Sequence, residues 1–179
     1  MELQRINLQD RLEKLSKVSG LEDVTAAGNL GLLDEPKAAV FNSRQGKTLI
    51  SDSPWVENTI NLCLKMVESS VAIVSSIGMT TWEIVTWKTG VSGGKLILLI
   101  PDTAVDLIKT ISENIIVDFN LDPDKTLLLF PHPDAEPNEK YKRLPKRDFW
   151  IAALADRIYP VSVRSGGNMS RLVELYSIL

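Results

Sequence analysis

The sequence predicts a parallel, doubly wound α/β domain, and three observations carry that prediction. Five short apolar runs recur along the chain: Ala38–Phe41, Val71–Val74, Leu96–Ile100, Thr126–Phe130 and Ile158–Val163. Each run is continuous rather than alternating, which is the pattern of strands buried on both faces. Helical patterns fill the intervals between them, and every parallel return needs such a crossover.

Taken in order, Leu8, Leu12, Leu15 and Val18 recur at helical spacing, with Asn7 placed to cap and Gly20 placed to stop a short amphipathic helix. Residues 21–36 carry no period and read as a connector lying on the main body. The chain therefore divides into residues 1–35, an N-terminal helix and connector, and residues 36–179, a ligand-binding domain. Ser53-Pro54 supplies an N-cap and a proline at the first helical position, and Val56, Ile60, Cys63 and Val67 follow one face. Thr80 and Glu83 form a capping box opening a helix that ends near Gly90. Residues 104–114, 146–155 and 168 onwards supply three further helices. Pro160 lacks the N–H a central strand needs, so the fifth strand belongs at an edge.

A hydrophobic content of 44% with 24% charged residues fits a globular domain with a full core. The formal net charge of −3 excludes a protein that coats nucleic acid by bulk electrostatics, and leaves room for a local basic patch. Cys63 is the single cysteine, which removes disulfides and cysteine-based zinc sites, and its apolar surroundings mark it as a small buried hydrophobe. No apolar stretch reaches the ~18 residues that span a bilayer, and the first residues lack a signal-peptide core, so the expected location is the cytoplasm and no membrane partner is expected.

Chemistry is concentrated in the loops. Asn42 to Thr48 follow the first strand, and Gly46-Lys47-Thr48 suggests a P-loop. The earlier glycine of that motif is absent, and the next helix opens only at Ser53. What survives is a polar loop with Ser43 and Arg44 at the carboxyl end of a strand, where open α/β sheets bind ligands. Ser75, Ser76 and Gly78, before the helix that begins at Thr80, allow a ligand to approach backbone N–H groups closely. Lys140, Lys142, Arg143, Lys146 and Arg147 form a basic run beside the presumed crevice. Arg164, Ser165 and Gly166 make a turn into the last helix, with free N–H groups and a helix dipole suited to an anion. His132 has no second histidine to work with, so neither a metal site nor a Ser-His-Asp triad is expected. Trp82, Trp87 and Trp150 lie in helical patterns and read as core or interface residues.

Two stretches together carry a family resemblance. Arg147-Asp-Phe-Trp-Ile-Ala-Ala-Leu-Ala-Asp156 and Arg164-Ser-Gly-Gly167 resemble the Arg-Asn-Arg-Ile-Ile-Ala-Gly-Leu-Ser-Asp … Ser-Gly-Ser/Thr pattern of the bacterial DNA-processing protein A family. Val40-Phe-Asn-Ser-Arg44 is similar to that family's Val-Gly-Ser-Arg opening, and Ser75 to Met79 to its Ser-Gly-x-Ala-x-Gly-Ile-Asp turn. The family belongs to a Rossmann-like group that also holds the cytokinin-activating phosphoribohydrolases. The resemblance implies a Rossmann-like five-stranded parallel sheet in the order 3-2-1-4-5, with a crevice between the loops after strands one and four. It also implies single-stranded DNA held by basic loop residues, as part of loading a recombinase. Asn42, Phe149 and Thr80 depart from the family's glycine, second arginine and second-loop aspartate.

The expected partner is thus a nucleotide or single-stranded nucleic acid, met by Ser43, Arg44, Ser75, Ser76, Gly78, Thr80, Lys146, Arg147, Arg164, Ser165 and Gly166. No cofactor is expected, and a homodimer is the form expected of any self-association. The alternatives are an N-glycosidic hydrolase of nucleoside monophosphates, with Glu83 as its candidate catalytic group, and a non-catalytic assembly partner.

Overall fold

Alternate residues of each apolar run face opposite ways, and both faces are covered. The computed structural model describes residues 1–15, 18, 20–43, 53–131 and 145–176. The predicted runs form β3 (Lys37–Asn42), β4 (Ala72–Ser75), β5 (Leu96–Leu99), β6 (Thr126–Pro131) and β7 (Arg157–Ser162). Between them lie α2 (Pro54–Glu68), α3 (Thr80–Val91), α4 (Ile108–Asp118) and α5 (Lys146–Leu154), and α6 (Asn168–Tyr176) follows β7. Ala39, Phe41, Val74, Leu99 and Leu129 point into a core shared with Phe149, Trp150 and Leu172 of α5 and α6. Val40, Ile73, Leu98 and Leu128 point the other way, onto Cys63, Val85 and Ile115 of α2, α3 and α4. Burial of both faces is what makes the runs continuous.

The strands β3 to β7 pair in parallel, in agreement with the sequence, but the sheet is larger and differently ordered. It has seven strands, not five, in the order β1-β2-β6-β5-β4-β3-β7. The additions are β1 (Leu3–Ile6) and β2 (Val24–Gly28), both antiparallel to their neighbours. β2 lies in the segment expected to be a connector. Only Val24 and Thr25 of its Val-Thr-Ala-Ala-Gly sequence favour a strand, and pairing between β1 and β6 carries the strand through the two alanines and the glycine.

In the numbering of the five predicted strands, the parallel order is 4-3-2-1-5 rather than 3-2-1-4-5. Each helical crossover after β3 steps to the adjacent position. The chain then returns across the sheet to lay β7 on the free side of β3. Pro160 sits opposite Phe41 in that edge strand, next to a register shift at Phe41/Asn42, where its missing N–H costs no ladder bond on the outer side.

The N-terminal helix is shorter than its leucine spacing predicts. Helix α1 (Leu8–Arg11) is capped by Asn7, whose side chain accepts from the Gln9 and Asp10 amides, and Leu12 is already extended. A 3-10 turn at Glu13–Leu15 follows. So short a helix has little stability of its own, and tertiary contacts decide its course. Lys14 Nζ donates to the Leu154 carbonyl at 2.6 Å and to Asp156 at 2.5 Å, which fastens this segment to the end of α5. Trp82 and Trp150 are buried in the core, whereas Trp87 is 47% exposed.

Candidate functional site

The chain leaves β3 towards α2 on one face and leaves β7 towards α6 on the other. Neighbouring parallel strands whose connections diverge in this way open a crevice at their carboxyl ends, the position where open α/β sheets take ligands. A crevice of about 410 Å³ lies there. It sits between strands one and five of the sequence prediction, not one and four, because β7 rather than β6 is the neighbour of β3.

Three helix starts meet at it. Met79, the N-cap of α3, and Pro145, the N-cap of α5, line the crevice together with Gly167 and Asn168 at the start of α6. First-turn N–H groups have no partner within their helix, and each helix adds partial positive charge at that end. Arg147 and Arg164 line the same crevice. The arrangement is suited to a phosphate.

The arginines differ in freedom. Arg147 Nη1 donates to the Ile77 carbonyl at 3.0 Å, Nη2 reaches Met79 Sδ, and Nε donates to Asp148 Oδ1 at 3.3 Å. It fastens the loop before α3 to α5 and lines the crevice. Arg164 is exposed, and its guanidinium has no partner among the described residues. Its backbone amide donates to Ser43 Oγ at 2.7 Å, while the Ser43 amide donates to the Ser162 carbonyl at 2.8 Å. Ser165 and Gly166 are exposed at the tip of this turn, with Gly166 at φ +71, where a side chain would be strained.

Of the other candidates, Gly78 occupies the left-handed region at φ +82, and a Cβ there would lie 4.0 Å from Arg147 Nη1. Its amide donates to Glu83 Oε1 at 3.1 Å. Glu83 therefore secures the loop, as one half of a capping box would, but the N-cap position is Met79 and Thr80 is the first helical residue. Lys146 begins α5 beside Pro145 and lines a second groove of about 300 Å³ that runs past Asp102 at the end of β5.

Ser75 and Ser76 are not brought to the crevice. Both are buried, with Ser75 Oγ donating to the Trp82 carbonyl at 3.2 Å and Ser76 Oγ to the Leu99 carbonyl at 2.7 Å. The Thr86 hydroxyl, 2.8 Å from the Ser76 carbonyl, completes this polar knot. Arg44, Gly46, Lys47, Thr48, His132, Lys140, Lys142 and Arg143 lie outside the described residues.

Sequence reasoning missed Asp148. It is the third residue of α5, only 4% exposed, and it lines the crevice. Trp82 Nε1 donates to its Oδ1 at 3.2 Å, and Trp82 in turn packs edge-on against Phe41 with ring centroids 5.6 Å apart. Burial pushes the Asp148 carboxyl above its ordinary range, against the charge of Arg147 and the hydrogen bonds from Arg147 and Trp82. The available signal was an acidic residue at the head of the apolar run Phe149–Leu154, directly after two basic residues. Burial likewise pushes the Cys63 thiol up to about 11, so it is a core residue. Among the described residues no group of three or more metal-ligating side chains occurs, and no helix is long and apolar enough to cross a membrane.

No protein-family model and no curated protein matches the sequence. The fold is similar to that of DNA processing protein A from Streptococcus pneumoniae, with a TM-score of 0.67 and 21% identity, covering 99% of this chain and 59% of that one. It is similar also to DNA processing protein A from Helicobacter pylori, a protein with a single-stranded DNA binding mode, with a TM-score of 0.59 and 21% identity, covering 87% of this chain and 68% of that one. The likeness seen in the Arg147–Asp156 run and the Arg164–Gly167 turn thus extends to the fold.

Proposed function

We propose that this chain is a DNA processing protein A-like module that binds single-stranded nucleic acid through its phosphates, in the crevice between β3, β7 and α5. The observation that carries this reading is the meeting of three helix N-termini and two arginines at the point where the strand order reverses. Arg164 and the Ser165–Gly167 turn hold one phosphate. Arg147 and the start of α5 face it, and the groove past Lys146 extends the track to a neighbouring nucleotide. Arg44 and the basic run from Lys140 belong to the same interface by their place in the sequence. A crevice of about 410 Å³ admits one phosphate–sugar–base unit at a time, which favours a flexible single strand over a base-paired duplex.

Fluorescence anisotropy with a labelled single-stranded oligonucleotide tests the reading. Binding should be largely independent of sequence and modest in affinity, because the net charge is −3. Unlabelled duplex of the same length should compete poorly. Equal competition by duplex would contradict the crevice as the binding site.

The hydrolase alternative finds no specific support in the geometry, since Glu83, in the first turn of α3, accepts from the Gly78 amide in the loop before that helix.

A further inference from the structure

Among the described residues that line the crevice, Asp148 is the one ionisable group that phosphate binding leaves without a role. A negative charge beside a phosphate is repulsive, and a carboxylate drawn into a wall loses hydration that donors must replace. Yet Asp148 is 4% exposed and lines the crevice along with Arg147 and Met169. Its Oδ1 is engaged twice, by Trp82 Nε1 at 3.2 Å and by Arg147 Nε at 3.3 Å. Its Oδ2 accepts no hydrogen bond from the described residues and is not one of the atoms sealed from solvent without a partner, so its open side belongs to the crevice that Asp148 lines. The two donors on Oδ1 fix the carboxylate in one orientation, and the Trp82–Phe41 edge contact fixes the indole behind it. A held acceptor with one oxygen unspent is a group prepared for a donor that arrives with the ligand.

We propose that Asp148 Oδ2 is a donor-seeking subsite, so that the ligand of this crevice is a nucleotide unit presenting an N–H or O–H beside its phosphate rather than a phosphate backbone alone. The inference rests on the phosphate reading of the same crevice and adds the group that selects among phosphate ligands. Two parts of a nucleotide carry such a hydrogen. A base offers amino or imino groups, as when a carboxylate accepts from cytosine N4, and a sugar offers a hydroxyl. A site built to hydrogen-bond a ligand N–H or O–H favours ligands that carry it over those that do not. The elevated carboxyl pKa fits an undersolvated charge that such a donor would stabilise.

The test is calorimetric titration of the full chain with inorganic phosphate, ribose 5-phosphate, adenosine monophosphate and its deoxy form, in the wild type and in Asp148→Asn. Asparagine keeps an oxygen for Trp82 and removes the charge. The wild type should bind the nucleotides at least about tenfold more tightly than inorganic phosphate. Asp148→Asn should lose about that factor for the nucleotides while its affinity for inorganic phosphate holds or rises, because the repelling charge is gone. If ribose 5-phosphate shares the nucleotides' loss, the donor is a sugar hydroxyl; if only the nucleotides lose affinity, it is on the base. A parallel fall for phosphate and nucleotides would make Asp148 a structural residue and overturn the inference. So would a wild type that binds nucleotides no better than phosphate, a comparison that stands even if the variant does not fold. A wild type that binds oligonucleotides without that discrimination overturns the inference alone. One that binds no oligonucleotide and none of these ligands overturns the phosphate reading with it.

Discussion

Ser43 Oγ accepts the backbone N–H of Arg164 at 2.7 Å, across 121 residues of sequence. The bond joins the loop leaving β3 to the turn leaving β7, at the place where those two connections part to opposite faces. Together with the Ser43 amide on the Ser162 carbonyl, it continues the β3–β7 pairing past the register shift and sets where the Arg164 side chain emerges. A strand order reversal alone opens a crevice; this bond gives it a fixed rim.

Ser43→Ala should therefore loosen the rim. The lost hydrogen bond costs about 1 kcal/mol of stability. Oligonucleotide affinity should fall by no more than about tenfold, because the arginines remain. Ser43→Thr keeps the hydroxyl and should bind like the wild type. Urea unfolding and anisotropy on the three proteins check this.

The two arginines should separate cleanly. Arg147 carries bonds to Ile77, Met79 and Asp148, so Arg147→Ala should lower the melting temperature as well as binding, because it also leaves the buried Asp148 charge without its cation. Arg164→Ala should leave stability within about 0.5 kcal/mol, since an exposed guanidinium without a partner has little to lose. Calorimetric melts of both variants distinguish the roles.

Acid should act at the opposite end of the sheet. Burial opposes ionisation of Asp156, but the Lys14 hydrogen bond, the Lys37 amide and the charges of both lysines outweigh it and hold the carboxyl below its ordinary range. A depressed folded-state value means stability that is present above the unfolded pKa, near 3.9, and is lost as pH falls through the folded one. Asp148 has the opposite sign: its cost is absent at low pH and grows as pH rises past the unfolded value. Asp156→Asn should flatten the acid limb of stability against pH, and Asp148→Asn should remove the opposing slope. Denaturant midpoints between about pH 2.5 and 7 measure both.

Gly20 is held in the left-handed region at φ +92, and a Cβ there would come within 2.6 Å of the Trp150 ring. Gly20→Ala should cost at least 1–3 kcal/mol by order of magnitude, from strain and displaced packing together. A thermal melt unchanged from the wild type would mean that the N-terminal segment does not pack on α5 as described.

The parallel strands were legible because adjacent residues such as Ile73 and Val74 face opposite cores, and both must be apolar, which leaves an uninterrupted run. β2 was not, since Ala26, Ala27 and Gly28 have low strand propensity and are held as a strand by pairing with β1 and β6. Strand order is not written in such runs at all: nothing in Ile158–Val163 distinguishes a neighbour of β3 from a neighbour of β6. The site was partly legible for the same reason. Gly78 and Gly166 announce turns, but Ser75 and Ser76 read alike whether their hydroxyls face a ligand or the Trp82 and Leu99 carbonyls. Asp148 takes its meaning from Trp82, 66 residues away.

The most direct measurement of the central claim is the salt dependence of single-stranded oligonucleotide affinity in the wild type and in Arg164→Ala. If Arg164 meets a phosphate at the β3–β7 rim, the variant should bind more weakly. Its slope of log affinity against log salt should be shallower by about 0.7, the contribution of one neutralised phosphate on a single strand. Its melting temperature should match the wild type. Equal slopes and equal affinities in the two proteins would contradict the account and place any nucleic acid elsewhere on the molecule.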